Sequence, residues 1–163
     1  MTKRVRYFTG QLLSAADLQA EQDYTRDRLR RHNRWLHGWG VVGGLAVSVS
    51  RDKVVVAPGL AIDGLGNEIE VCEPAHRALP TSSRPCYLTV AFAERETDPV
   101  GDPPVFTRVE EGWALAYEDK EPARTPPGPA RIALARLLPS RRGWRVDPRY
   151  RARRARASRA SSS

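Results

Sequence analysis

The hydrophobic rhythm of the chain changes once, near residue 40, and the change divides it. Residues 1–13 read as an extended, partly apolar lead carrying Val5, Tyr7, Phe8, Leu12 and Leu13. Ser14-Ala15-Ala16-Asp17 has the Ser-x-x-acid form of a helix start, with its acid in the first turn, where the helix dipole favours it. From Ala15 to His37 no Pro or Gly interrupts a run rich in Ala, Leu, Gln, Glu and Arg, so the spacing predicts one long helix. Gly38 and Gly40 stop it. Its large apolar residues are Leu18, Tyr24, Leu29, Trp35 and Leu36. Leu18, Leu29 and Leu36 fit one heptad seam, interrupted by Gln22, Thr25 and His32. So polar a seam is a poor core element. Two readings remain: a surface helix with paired charges such as Asp27 and Arg31, or a helix that packs against copies of itself, with seam polars setting register.

Beyond the Trp-Gly joint the period becomes that of strands. LAVSVS (45–50) and VVVA (54–57) flank a tight turn and predict a hairpin. PGLAIDGLGNEIEV (58–71) reads as turn, strand, Gly-rich turn and strand. CYLTVAFAE (86–94) is a buried strand, and TDPVGDPP (97–104) a loop before VFTRVEEG and WALAYED (113–119). After the loop EPARTPPGPA (121–130) come RIALARLL (131–138) and GWRVD (143–147). Seven or eight short strands with frequent turns predict a β-sandwich or small barrel. The expected organisation is an N-terminal segment and assembly helix (1–37), a β-sandwich body (38–148) and an Arg-rich tail (149–163), mainly β with one long helix.

Composition changes this picture in one respect. The chain of 163 residues has a formal net charge of +8, and the whole excess lies in residues 141–163, where nine arginines face one acid. Residues 1–140 are balanced, so the body offers no basic groove for nucleic acid. RYRARRARASRASSS (149–163) has almost nothing apolar to bury and reads as a disordered or loosely docked arm. Its arginines Arg149, Arg151, Arg153, Arg154, Arg156 and Arg159 are the candidate electrostatic tether, to an acidic protein surface or an anionic membrane. Binding nucleic acid through this arm is the alternative, and with Tyr150 its one aromatic, base stacking is not supported. Cys72 and Cys86 lack metal or disulfide spacing. The N-terminus has no apolar signal region and no run is long enough to span a bilayer, so a cytoplasmic location is expected.

No constellation suggests catalysis or a cofactor. His32 and His37 are five apart, His76 lies elsewhere, and no further ligands stand at zinc spacing, so no metal role is expected. Asp63, Glu68 and Glu70 crowd one hairpin, but alternation puts Glu68 and Glu70 on a solvent face. DGLGNE (63–68) lacks the strand-loop-helix setting of a phosphate cradle and reads as a hairpin turn. Ser14 is better explained as a helix cap than as a nucleophile.

Four stretches, in order, resemble one family. YFTGQLLSAADLQAEQDY (7–24) resembles the opening of baseplate proteins of contractile injection systems and phage tails, and is similar to the N-terminal shoulder-like domain of the type VI secretion component TssK. HGWGVVGGLAV (37–47), VVVAPGLAIDGLGNEIEV (54–71) and ARIALARLLPSRRGWRVDPRY (130–150) resemble its Trp-Gly joint, its Gly-containing hairpin and its closing strand pair. The resemblance spans about residues 5–150. It implies a helix leading into a shoulder-type β-sandwich, assembled as a homotrimer, which holds other baseplate or tail proteins or a membrane receptor on the particle. On this reading Leu18, Gln22, Leu29 and Leu36 form the assembly interface. Trp35, Gly38, Trp39 and Gly40 form the joint, the two tryptophans wedged between helix and sandwich. The chain departs from the family in turning to an Arg-rich arm where TssK continues into further domains.

Overall fold

The computed structural model of the protein describes residues 3–125, 128–141 and 143–156. Helix α1 (Ala15–His32) starts at the expected cap. The Ser14 hydroxyl accepts the Asp17 N–H at 3.2 Å, and the Ser14 N–H donates to Asp17 Oδ2 at 3.0 Å. The Ser14 hydroxyl also donates to Asp17 Oδ2 at 2.7 Å, and this bond first, then the Ser14 N–H, favours the ionised carboxylate and holds the Asp17 pKa below its usual value. The predicted run to His37 is helical throughout but changes register. Asn33–His37 is a single π turn, closed by the Gly38 N–H donating to the Asn33 carbonyl at 2.9 Å. On α1, Asp23 pairs with Arg26 at 2.7 Å, one turn before the Asp27–Arg31 pair expected from spacing.

Three antiparallel sheets follow among the described residues. The first orders β1 (Gly40–Gly44), β4 (Gly59–Ile62) and β5 (Glu68–Val71) side by side. The second orders β2 (Val47–Val49), β3 (Lys53–Val56) and β6 (Ala75–Ala78). The third runs β10-β9-β7-β8, from β7 (Cys86–Val100), β8 (Val105–Glu118), β9 (Arg131–Ser140) and β10 (Gly143–Val146). Period-two alternation turns Val54, Val56, Ile69 and Val71 inward. They meet Leu88, Val90, Ile132 and Leu137 from the third sheet, so all three sheets contribute to one buried cluster. Burying such side chains is worth about 1.5–3 kcal/mol each, and this cluster is the source of the body's stability.

The strands differ from expectation in three places. β1 begins at Gly40, inside the segment read as a joint. β6 was not expected because AHRA buries only Ala75 and shows no apolar alternation. The first half of the predicted loop 97–104 is strand: β7 continues to Val100, with Thr97 opposite Arg108 and Val100 opposite Val105, and only 101–104 turn. Pro99 is tolerated because a two-stranded ribbon leaves one edge of each strand unpaired. Asp98, at φ +54°, drops out of the pairing beside it while the register continues unchanged.

Of the two forms expected of the arm, disordered or loosely docked, the described part takes the docked one. Residues 153–155 lie along β1, with a parallel bridge between Val41 and Arg154. The arm is thus docked on the body through Arg156, whose N–H reaches the His37 carbonyl. The expectation for residues 157–163, including Arg159, falls outside the described residues.

Candidate assembly surface

Helix α1 buries none of its own residues. Apart from a loose Arg26–Glu94 ion pair at 3.7 Å and the packing of the Arg30 carbonyl on Gly66, its hold on the body comes just after it, at Asn33, which is only 6% exposed. The Asn33 side-chain amide donates to the Gly66 carbonyl at 3.0 Å and to Glu68 Oε1 at 3.1 Å. Gly66 is needed here: at φ +90° and against the Arg30 carbonyl, any side chain would collide with the helix backbone. The receiving turn is pinned from inside by Asp63. Its Oδ1 accepts the N–H groups of Leu65 (2.8 Å) and Asn67 (2.9 Å), and its Oδ2 accepts from Asn67 Nδ2 (2.7 Å). DGLGN is thus a docking turn for the helix, built on a buried carboxylate. Glu68 and Glu70 are exposed as predicted.

Between α1 and the β7–β8 ribbon runs a groove of about 700 Å³. Leu18, Gln22 and Leu29 line it from the helix side, Phe92 and Glu111 from the ribbon, and Tyr7 from the lead segment. The seam leucines are open to solvent: Leu18 is 52% exposed, Leu29 58% and Leu36 62%. Leu36 does not reach the groove and lies beyond it on the π turn. Phe8, Leu12 and Leu13 are exposed as well. The helix and its lead therefore present an apolar stripe uncovered by the body, larger than scattered surface residues would make.

The tryptophan wedge is corrected. Trp35 is 79% exposed, because the π turn leaves it and Leu36 on the solvent side, whereas Trp39 is 8% exposed. Trp39 does not face the helix. It sits beneath the arm, with the Arg153 guanidinium 4.1 Å from the ring centre and Arg153 Nε donating to the Trp39 carbonyl at 3.2 Å. The arm is fastened by main chain. The Val41 N–H donates to the Arg153 carbonyl (2.8 Å), the Ala155 N–H to the Val41 carbonyl (3.1 Å) and the Arg156 N–H to the His37 carbonyl (2.7 Å). Arg154 adds a bond to the Val42 carbonyl at 3.0 Å. Gly40, at φ +132°, allows this approach, since a Cβ there would lie 2.6 Å from the Arg153 carbonyl oxygen. Upstream, the Tyr150 hydroxyl donates to Glu121 at 2.8 Å. Burial, reinforced by Glu121, pushes that phenol up to about 12. Arg149 and Arg151 are exposed, and Arg151 bonds carbonyls of its own segment. The sequence signal for a strap was present in the small residues Ala152 and Ala155, both partly buried, but charge obscured it.

One pair not expected to meet does so. His32 and His37 lie on different faces of an α-helix, but a π turn brings positions five apart onto one side, and their Nε2 atoms stand 3.3 Å apart. Cys72 is exposed and Cys86 buried, both as free thiols.

No family model matches the sequence, and no curated protein does. Solved structures do match. A crystal structure of TssK superposes over 90% of this chain with a TM-score of 0.58 and 16% identity. The fold is similar to that of TssK. A chain of the type VI secretion system TssK-TssF-TssG baseplate subcomplex superposes over 93% with a TM-score of 0.61 and 16% identity. A chain of the type VI secretion baseplate complex gives 93%, 0.59 and 15%. This chain spans only 43%, 62% and 60% of those three chains, so the likeness to TssK is to part of it. The likeness matches the shoulder-type fold that the resemblance implied.

Proposed function

We propose that this chain is a structural assembly module of a phage-tail-like contractile injection particle, a baseplate or peripheral shoulder-like adaptor on which other components are held. The observation that carries the reading is the fold match over nine-tenths of the chain to TssK and to chains of baseplate complexes. The uncovered stripe Leu18–Leu29–Leu36 and the groove beside it supply a contact surface, and a homotrimer formed through α1 is the arrangement proposed for it. The nucleic-acid alternative is weakened by the use made of the arm's cations: Arg153 and Arg154 bond main-chain carbonyls of the body. No helix among the described residues is long and apolar enough to cross a membrane.

The test is fractionation of nuclease-treated extract from cells producing the tagged chain with its particle. The chain should sediment with baseplate proteins, and a variant carrying Leu18→Ser, Leu29→Ser and Leu36→Ser should be lost from that fraction while remaining folded. A chain that sediments alone, or follows nucleic acid until nuclease is added, refutes the reading.

A further inference from the structure

The His32–His37 pair has the geometry of a chelate. Two imidazoles sharing one tetrahedral ion, with metal–nitrogen bonds of about 2.0–2.1 Å, hold their nitrogens about 3.3–3.4 Å apart and their ring centres about 5.2 Å apart. The two Nε2 atoms here are 3.3 Å apart and the ring centroids 5.2 Å apart. The two distances are separate constraints. The first sets the bite, and the second excludes rings laid end to end. Both rings can be reached from solvent, His32 being exposed and His37 half-buried.

We propose that His32 and His37 form a two-imidazole site for a divalent transition ion of the zinc class. Among the described residues no third His, Cys, Asp or Glu joins the pair, so water completes the coordination. Neutral imidazole suits zinc, nickel and copper, and a site without carboxylates excludes calcium and magnesium, which require oxygen ligands. Arg31 and Arg34 adjoin the pair in sequence and oppose a cation, which makes this a modest site and not a buried structural one. Its position gives it a use. His32 is the last residue of α1 and His37 the last of the π turn, while the His37 carbonyl receives the Arg156 N–H. An ion bonded to both rings clips the helix end to the turn that carries it and steadies the anchor of the arm. α1 buries nothing of its own, so this joint sets how firmly the helix is held.

Zinc competition against a chromophoric chelator tests the proposal on the full chain and on His32→Gln, His37→Gln, His76→Gln and Cys72→Ser. One equivalent should bind to the parent, to His76→Gln and to Cys72→Ser, and affinity should fall about tenfold or more in His32→Gln and in His37→Gln. Saturating zinc should raise the melting midpoint only in the three chains that keep the pair. All four positions are at the surface or carry conservative changes, and circular dichroism verifies that each variant folds. Unchanged affinity in either His32→Gln or His37→Gln overturns the site, as does loss in Cys72→Ser or binding that never saturates at one equivalent.

Discussion

Replacing Gly40 with alanine should peel the arm from β1. A Cβ at this position falls 2.6 Å from the Arg153 carbonyl oxygen and 2.8 Å from the Ala155 nitrogen. Those atoms belong to the two hydrogen bonds that straddle Val41. Both are main-chain atoms, so no side-chain rotation relieves the clash. Losing two such bonds costs about 2 kcal/mol, taking about 1 kcal/mol for each. The φ of +132° adds about 1–2 kcal/mol of strain for an L residue. The sum is about 3–4 kcal/mol, or a midpoint lowered by roughly 10 °C in a chain of this size. Thermal melting measures the total, and amide hydrogen exchange locates it. Protection should vanish at Val41, Ala155 and Arg156 while the β7–β9 ladder keeps its own. If the variant melts like the parent with the Val41 amide still protected, the arm is not held as described. If protection falls equally in every sheet, Gly40 supports the core and not the strap.

Trp39→Ala should cost about 3–5 kcal/mol in urea denaturation, the range for truncating a buried aromatic, whereas Trp35→Ala should stay within about 0.5 kcal/mol; similar values for the two would contradict their opposite exposures. Asp63→Ala removes the acceptor of three bonds in the helix-docking turn and should lower stability by about 2–3 kcal/mol, read by the same denaturation, with faster exchange at the Leu65 and Asn67 amides. Burial raises the phenols of Tyr117 and Tyr150 to about 12. The folded protein therefore keeps two protons that the unfolded chain releases near pH 10, and stability should be level below that pH and fall between about pH 10 and 12. Absorbance at alkaline pH should show two late-titrating tyrosines, one of them missing in Tyr150→Phe.

The local chemistry of single stretches was largely readable in the sequence. Ser14 and Asp17 announce the helix start because a cap needs only neighbours three residues apart. The alternation in VVVA and in CYLTVAFAE declares buried faces because strand period and burial coincide there. The β7–β8 ribbon was cut short at Thr97 because Pro and Gly signal a turn by local preference, while the register that carries pairing through Pro99 comes from Arg108 and Phe106 on the other strand. The strap was hidden for a related reason. Its stability derives from main-chain bonds to residues more than a hundred positions away, to which side-chain composition is blind. The exposure of Trp35 and the meeting of His32 with His37 both follow from a single π turn, and nothing in NRWLH distinguishes that turn from the α-helix before it. The open seam of α1 was legible as a stripe too polar for a core, which is how it appears in the fold.

The bond from the Arg156 N–H to the His37 carbonyl has a topological consequence. It draws together the two places where the chain joins and departs from the sheets, so the body between them is a closed loop of polypeptide. Such a unit can be spliced into a larger protein as a cassette, with both connections at one corner and every other surface left for neighbours. The helix enters and the arm ends its described course at the same corner. A pull on the arm is felt at once by the helix end through His37 and by the first sheet through Val41.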